Sequence, residues 1–183
     1  MKFGYLLVIL FLFSACDKED AYYNKLESSV KGKYKPLQLK SDIPVDVNGD
    51  GLASTELLQE IPELKDSNLE LRVNAKDAIY YELFWQTQWF HSKTEGSISN
   101  PEREDPDNLL IRYANQATWG TFDTDKSFTK ITLYPEGSRD ATTIEGKIQD
   151  KTITITYQRR LFTKAGWKDV NVTGQYLKFS DSY

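Results

Sequence analysis

Apolar residues recur at every second position through most of the chain after residue 32, the spacing of strands with one buried face. In "GKYKPLQLK" (32–40) Tyr34, Leu37 and Leu39 form the apolar side, and Pro36 restricts the segment to an edge or a bulge. "NLELRV" alternates through Leu69, Leu71 and Val73. The long run "AIYYELFWQTQWFH" puts Ile79, Tyr81, Leu83, Trp85 and Trp89 on one face and Tyr80, Phe84 and Phe90 on the other. "LLIRYA" (109–114) and "ATWGTF" (117–122) read as two further strands. In "SFTKITLY" the residues Phe128, Ile131 and Leu133 keep one face only with a bulge. "TTIEGKI" and "KTITITYQRR" flank Gln149-Asp150, a turn signal that predicts a hairpin, and "VNVTGQYLKFS" ends the chain. Within the body of the chain, helical character is confined to Ser54–Ile61, with Ser54 as N-cap and Pro62 as the stop. The stretch from Ser92 to Asn108, rich in Pro, Asn and acids, predicts a long loop at an open rim.

About eight or nine short strands with one helical turn predict an all-β fold, a sandwich or a barrel. Up-and-down closure suits the series best, because a closed barrel has no free edge to protect. The expected architecture is a single antiparallel up-and-down β-barrel with one short helix in its first loop. At 183 residues the chain is long enough for one sizeable core. Its formal charge of −4 and the lack of any Lys/Arg stripe exclude nucleic acid as a partner.

The first residues, "MKFGYLLVILFLFSACDKED", form a processing segment rather than structure. Lys2 is the charged start, Gly4–Phe13 is an apolar run too short to span a bilayer, and Ser14 and Ala15 precede Cys16. This ending resembles the lipobox of bacterial lipoproteins, with Phe13 where Leu is usual. The resemblance implies cleavage before Cys16 and lipid attachment to its thiol. Cys16 is the only cysteine, so no disulfide forms within the chain. Acyl chains contribute about 0.8 kcal/mol per buried CH₂, enough in pairs to hold the protein on a membrane. The acidic "DKED" resembles the surface-export signal of Bacteroidetes lipoproteins and implies an outer-membrane, outward-facing protein. The domain plan is then 1–15 signal peptide, 16–31 lipidated acidic tether, partly helical, and 32–183 barrel.

With "GKY" opening the first strand, "PVDVNGDGLASTELL" in the first long loop and "EGKIQDKTITITYQRR" near the end, the chain resembles the lipocalin-like lipoproteins of Bacteroidetes. The resemblance implies a lipocalin-like barrel over roughly residues 32–180. In lipocalins a first-strand Trp packs beneath a late-strand Arg. Here Tyr34 stands in for that Trp, with Arg159 or Arg160 as its partner.

Two segments carry candidate chemistry. In "DVNGDGLASTE" the oxygens of Asp46, Asn48 and Asp50, the Leu52 carbonyl and Ser54 occupy the spacing of an EF-hand-type calcium loop, with Gly51 at the turn. The closing Glu is replaced by Leu57, which leaves Glu56 or Glu60 to complete the shell. The same residues also make a tight turn through Asn48-Gly49 and Asp50-Gly51, with Ser54 as cap, and calcium would in any case be structural. The second segment is the aromatic strand. Tyr81, Trp85 and Trp89 line a calyx for a small hydrophobic ligand if their face points inward. Outward, they offer a platform for a glycan or a surface protein; filling the core is the commoner fate of large aromatics. A single histidine, His91, and a cysteine engaged by lipid leave little for metal or nucleophilic catalysis, so a non-enzymatic protein is expected. The rival to a ligand carrier is an accessory interaction protein with a filled barrel.

Overall fold

The computed structural model describes residues 20–74, 79–94, 96–105, 108–136 and 142–182; the signal segment and Cys16 lie outside them. Residues 20–30 form helix α1. Ten strands follow among the described residues: β1 Gly32–Val45, β2 Ser54–Glu56, β3 Leu69–Val73, β4 Ile79–Ser92, β5 Gly96–Ile98, β6 Leu109–Thr124, β7 Lys130–Pro135, β8 Ile144–Gln149, β9 Thr152–Thr163 and β10 Gly166–Ser180. Eight of them close an antiparallel barrel in the order β1-β3-β4-β6-β7-β8-β9-β10, with β10 pairing back onto β1. The short β2 and β5 are appended to β1 and β4.

The predicted hairpin at Gln149-Asp150 forms, with Gln149 opposite Thr152 and Asp150 in the left-handed region. Pro36 lies at the closing seam, where the β1–β10 register shifts between Pro36 and Gln38. That bulge buries Pro36 and Leu39 and turns Leu37 out to 48% exposure, so Leu37 does not share the inward face of Tyr34.

Three local expectations change. Ser54–Glu56 is a strand held by β1 (Val45 opposite Ser54, Lys40 opposite Glu56), and the helix α2 spans only Leu57–Glu60. Pairing with an open backbone edge outweighs an isolated helical turn, which is costly to nucleate. "LLIRYA" and "ATWGTF" are one strand, because the ladder to β4 runs without a shift from Ser92↔Leu109 to Tyr80↔Thr121. Phe128 belongs to the β6–β7 turn, at φ 57, rather than to a bulged strand.

Helix α1 turns Tyr22, Tyr23, Leu26 and Val30 onto the barrel. Tyr22 stacks on Phe128 with centroids 5.6 Å apart, and the Tyr34 hydroxyl donates to the Val30 carbonyl at 2.6 Å. The acidic stretch is therefore folded from residue 20 onward, with one face in the core.

Candidate functional site

Aromatic side chains occupy much of the barrel interior. Tyr81, Trp85, Tyr157 and Tyr176 are buried within it, and the Tyr157 and Tyr176 hydroxyls bond at 2.7 Å. Trp85 meets Tyr157 edge to face at 5.9 Å, and the Arg159 guanidinium lies over both rings at 5.1 and 4.6 Å. Burial pushes the Tyr81 and Tyr157 phenols up to about 12, with Arg159 pulling the other way. Arg159 thus covers Trp85 and Tyr157, and Arg160 covers Trp167 at 5.1 Å. These rings are not Tyr34, the partner that the resemblance implied for one of the two arginines.

Tyr81, Trp85 and Trp89 do not form one wall. Tyr81, Leu83 and Trp85 point in, but from Gln88 onward the buried positions are Gln88, Phe90 and Ser92, and Trp89 is 55% exposed. The β4–β6 register is continuous, so the ribbon itself buries its opposite face beyond Trp85. Long two-stranded ribbons twist strongly enough to change the face they present.

A cavity at the barrel mouth measures about 640 Å³. Four separate pieces of chain wall it: the first loop at Val47–Gly49, the strap from Glu60 to Glu63, the Pro101–Glu104 segment with the start of β6, and the β9–β10 turn. Val47, Leu109, Ile111, Tyr113 and Phe162 supply apolar and aromatic wall. Glu60, Glu63, Glu102 and Glu104 supply carboxylates, against one ammonium, Lys164.

Each wall is held locally. Asp46 accepts the amides of Gly49 (2.7 Å) and Gly51 (3.0 Å), and both glycines take positive φ. Asn48 Oδ1 accepts from Asp50 N, Asp50 Oδ1 accepts from Leu52 N, and Ser54 Oγ accepts from Glu56 N. Glu60, 3% exposed, accepts the Val47 amide at 2.9 Å and the Asn48 amide at 3.4 Å through Oε2. Lys164 Nζ donates to the Gly49 carbonyl at 2.6 Å and ties the first loop to the β9–β10 turn. A Cβ on Gly49 would meet only the flexible end of Lys164, with Cε at 2.9 Å, so it is the φ of 76° that favours glycine here.

On the opposite wall, β9 extends beyond its partner β8, whose ladder stops at Gly146↔Ile155. The Gln88 carboxamide takes over at Phe162, accepting its N–H at 2.7 Å and donating to its carbonyl at 3.0 Å. Phe162 packs edge to face on Phe90 and Trp167. Burial, and next the charge of Glu63, push the Tyr113 phenol up to about 12.

The calcium candidates are close in the chain but turned to other partners. Asp46, Asn48, Asp50 and Ser54 engage backbone amides, and the Leu52 side chain is solvent-exposed. Glu56, expected to close the shell, pairs with Lys40 at 3.0 Å, and Glu60 is turned onto Val47. Among the described residues no three His, Cys, Asp or Glu side chains gather as a metal site. Asn48, Gly49 and Glu60 instead belong to the cavity wall. His91 sits in β4 between Ser97 and Leu110.

Glu63, Glu102, Glu104, Tyr113 and Phe162 do not stand out in the sequence, because they come from separate segments without a motif. The acid-rich 92–108 loop was the one signal, as an expected rim. Compared with known proteins, the chain matches no family model, no curated protein and no solved structure.

Proposed function

We propose that the protein is a lipid-anchored, outward-facing outer-membrane lipoprotein. Its barrel serves as a non-enzymatic binding module for a small ligand with a hydrophobic portion, held at the mouth. The observation that supports binding is the cavity of about 640 Å³ with Ile111, Tyr113, Leu109 and Phe162 in its wall. Ligand sites begin at roughly 300 Å³ and combine apolar walls with a few polar groups. None of Tyr81, Trp85 and Trp89 lines that cavity, so the ligand would be held by other residues than the aromatic strand's expected wall. A structural calcium ion in the first loop is a separate proposal, supported by three donor side chains in one turn and weakened by the Glu56–Lys40 pair.

A titration with an environment-sensitive apolar dye tests the binding reading. Saturable binding that Ile111→Trp abolishes, with the fold intact by circular dichroism, is expected. Absence of saturable binding, or binding indifferent to Ile111→Trp, would overturn it. Replacing Cys16 by Ser should release the protein from the membrane fraction.

The second reading, an accessory interaction protein, draws on the outer face of the β4–β6 ribbon. There Trp119 is 54% exposed beside Tyr80, Glu82 and Glu136, around an open hollow of about 380 Å³. Trp119→Ala separates the two readings, because it leaves dye binding at the mouth unchanged.

A further inference from the structure

Carboxylates outnumber ammonium groups in the lining of the mouth cavity. Glu60, Glu63, Glu102 and Glu104 line it, and the single lysine, Lys164, already donates to the Gly49 carbonyl. Glu104 accepts a bond from the Ser92 hydroxyl at 3.1 Å, which orients it without neutralising it. Glu60 matters most. It is 3% exposed, its two amide bonds use Oε2, and among the described residues no cation pairs with it. A buried carboxylate without a counter-charge is costly, and proteins seldom retain one without a partner. The Tyr113 ring, within the electrostatic reach of Glu63 and Glu60, adds an aromatic face to the same end of the cavity.

We propose that this cavity selects an organic cation, an amphiphile whose protonated amine sits between Glu60, Glu63 and the Tyr113 ring and whose hydrocarbon part lies along Ile111 and Phe162. This rests on the reading of the mouth cavity as a ligand site and names the chemical class it takes. Three features match that class. Carboxylates in a partly dehydrated hollow attract an ammonium far more strongly than they would in water. An aromatic face adds a cation–π contribution. The apolar wall gives the hydrocarbon a place to leave water. An anionic amphiphile such as a fatty acid meets the same carboxylates as repulsion, so selectivity comes from rejection as well as attraction.

The test uses three probes of equal chain length, octylammonium, octanoate and octanol, titrated into the folded protein at pH 7 by calorimetry. The amine should bind at least tenfold more tightly than octanoate and more tightly than octanol. Glu63→Gln and Glu102→Gln, both on exposed carboxylates, should each weaken the amine several-fold while leaving octanol unchanged. Glu60→Gln should weaken it more, and a melt shows whether the Val47 amide contact survives that change. If octanol or octanoate binds as well as the amine, or the Gln variants bind the amine normally, the cation assignment fails and the ligand site stands. If none of the three binds, both fail.

Discussion

Gln88 is a polar residue on an aromatic strand, and its removal should damage the barrel more than that of most of its apolar neighbours' methyl groups. The residue is 9% exposed, and its carboxamide makes two bonds to the backbone of Phe162, 74 residues away. No strand covers that side of β9 among the described residues, because the β8 ladder ends at Ile155. Gln88→Met keeps the volume and leaves both the Phe162 N–H and its carbonyl without a partner. Each orphaned buried group costs about 1–3 kcal/mol, and partial access to water relieves some of it, so a loss of about 2–4 kcal/mol is expected. For a domain of this size that corresponds to a fall in Tm of about 4–16 °C. Urea denaturation, read by tryptophan fluorescence, gives the free energy directly. Gln116→Met, on the exposed side of the neighbouring strand, is the control and should stay within about 0.5 kcal/mol of wild type. Because Phe162 lines the cavity, the Gln88 variant should also bind the dye more weakly. A Gln88→Met protein within about 0.5 kcal/mol of wild type would refute the idea that this side chain substitutes for a missing strand.

The other expectations concern pH and calcium. Asp125 accepts the amides of Thr129 and Lys130 and the hydroxyls of Ser127 and Thr129, and these bonds hold its carboxyl below the usual range. A lowered folded pKa contributes stability that is present above the unfolded pKa and is lost as pH falls toward the folded one. Asp125→Asn should therefore lower Tm at pH 7, with the gap to wild type closing in strongly acidic buffer; a gap constant down to pH 2 would contradict this. Tyr81, Tyr113 and Tyr157 are pushed up to about 12 and Tyr176 well above its ordinary value, chiefly by burial. Raised folded pKa values keep these phenols neutral while the unfolded chain ionises, so stability falls as pH rises above about 10. Absorbance at 295 nm should show a late group of tyrosines titrating together with loss of structure; complete titration near pH 10 with the fold intact would argue against the burial of these rings. With Glu56 on Lys40, calcium at the first loop should be weak, about 10⁻⁴–10⁻³ M. A melt should then respond to millimolar calcium but not magnesium, and Asp50→Ala should abolish the response; no shift at all would leave a turn and nothing more.

The chain alone determined the class of fold. Period-two alternation, a turn at Gln149-Asp150 and the proline at position 36 are local properties, and each survives in the barrel because strand pairing acts on neighbours. Helix α1 was partly legible too, since Tyr22, Tyr23, Leu26 and Val30 fall on one helical side, but its charged residues read as a tether. The site was not legible. Trp89 is large and apolar yet exposed, and Gln88 is polar yet buried, because the β4–β6 ribbon changes its buried face between them. Burial depends on what lies opposite, and here that is the end of β9, 74 residues further along. The cavity likewise joins Val47, Glu60, Glu102 and Lys164 from four segments. No spacing along the chain encodes that meeting. Closure of β10 onto β1 encodes it, by bringing the β9–β10 turn over the first loop and fixing Lys164 on Gly49.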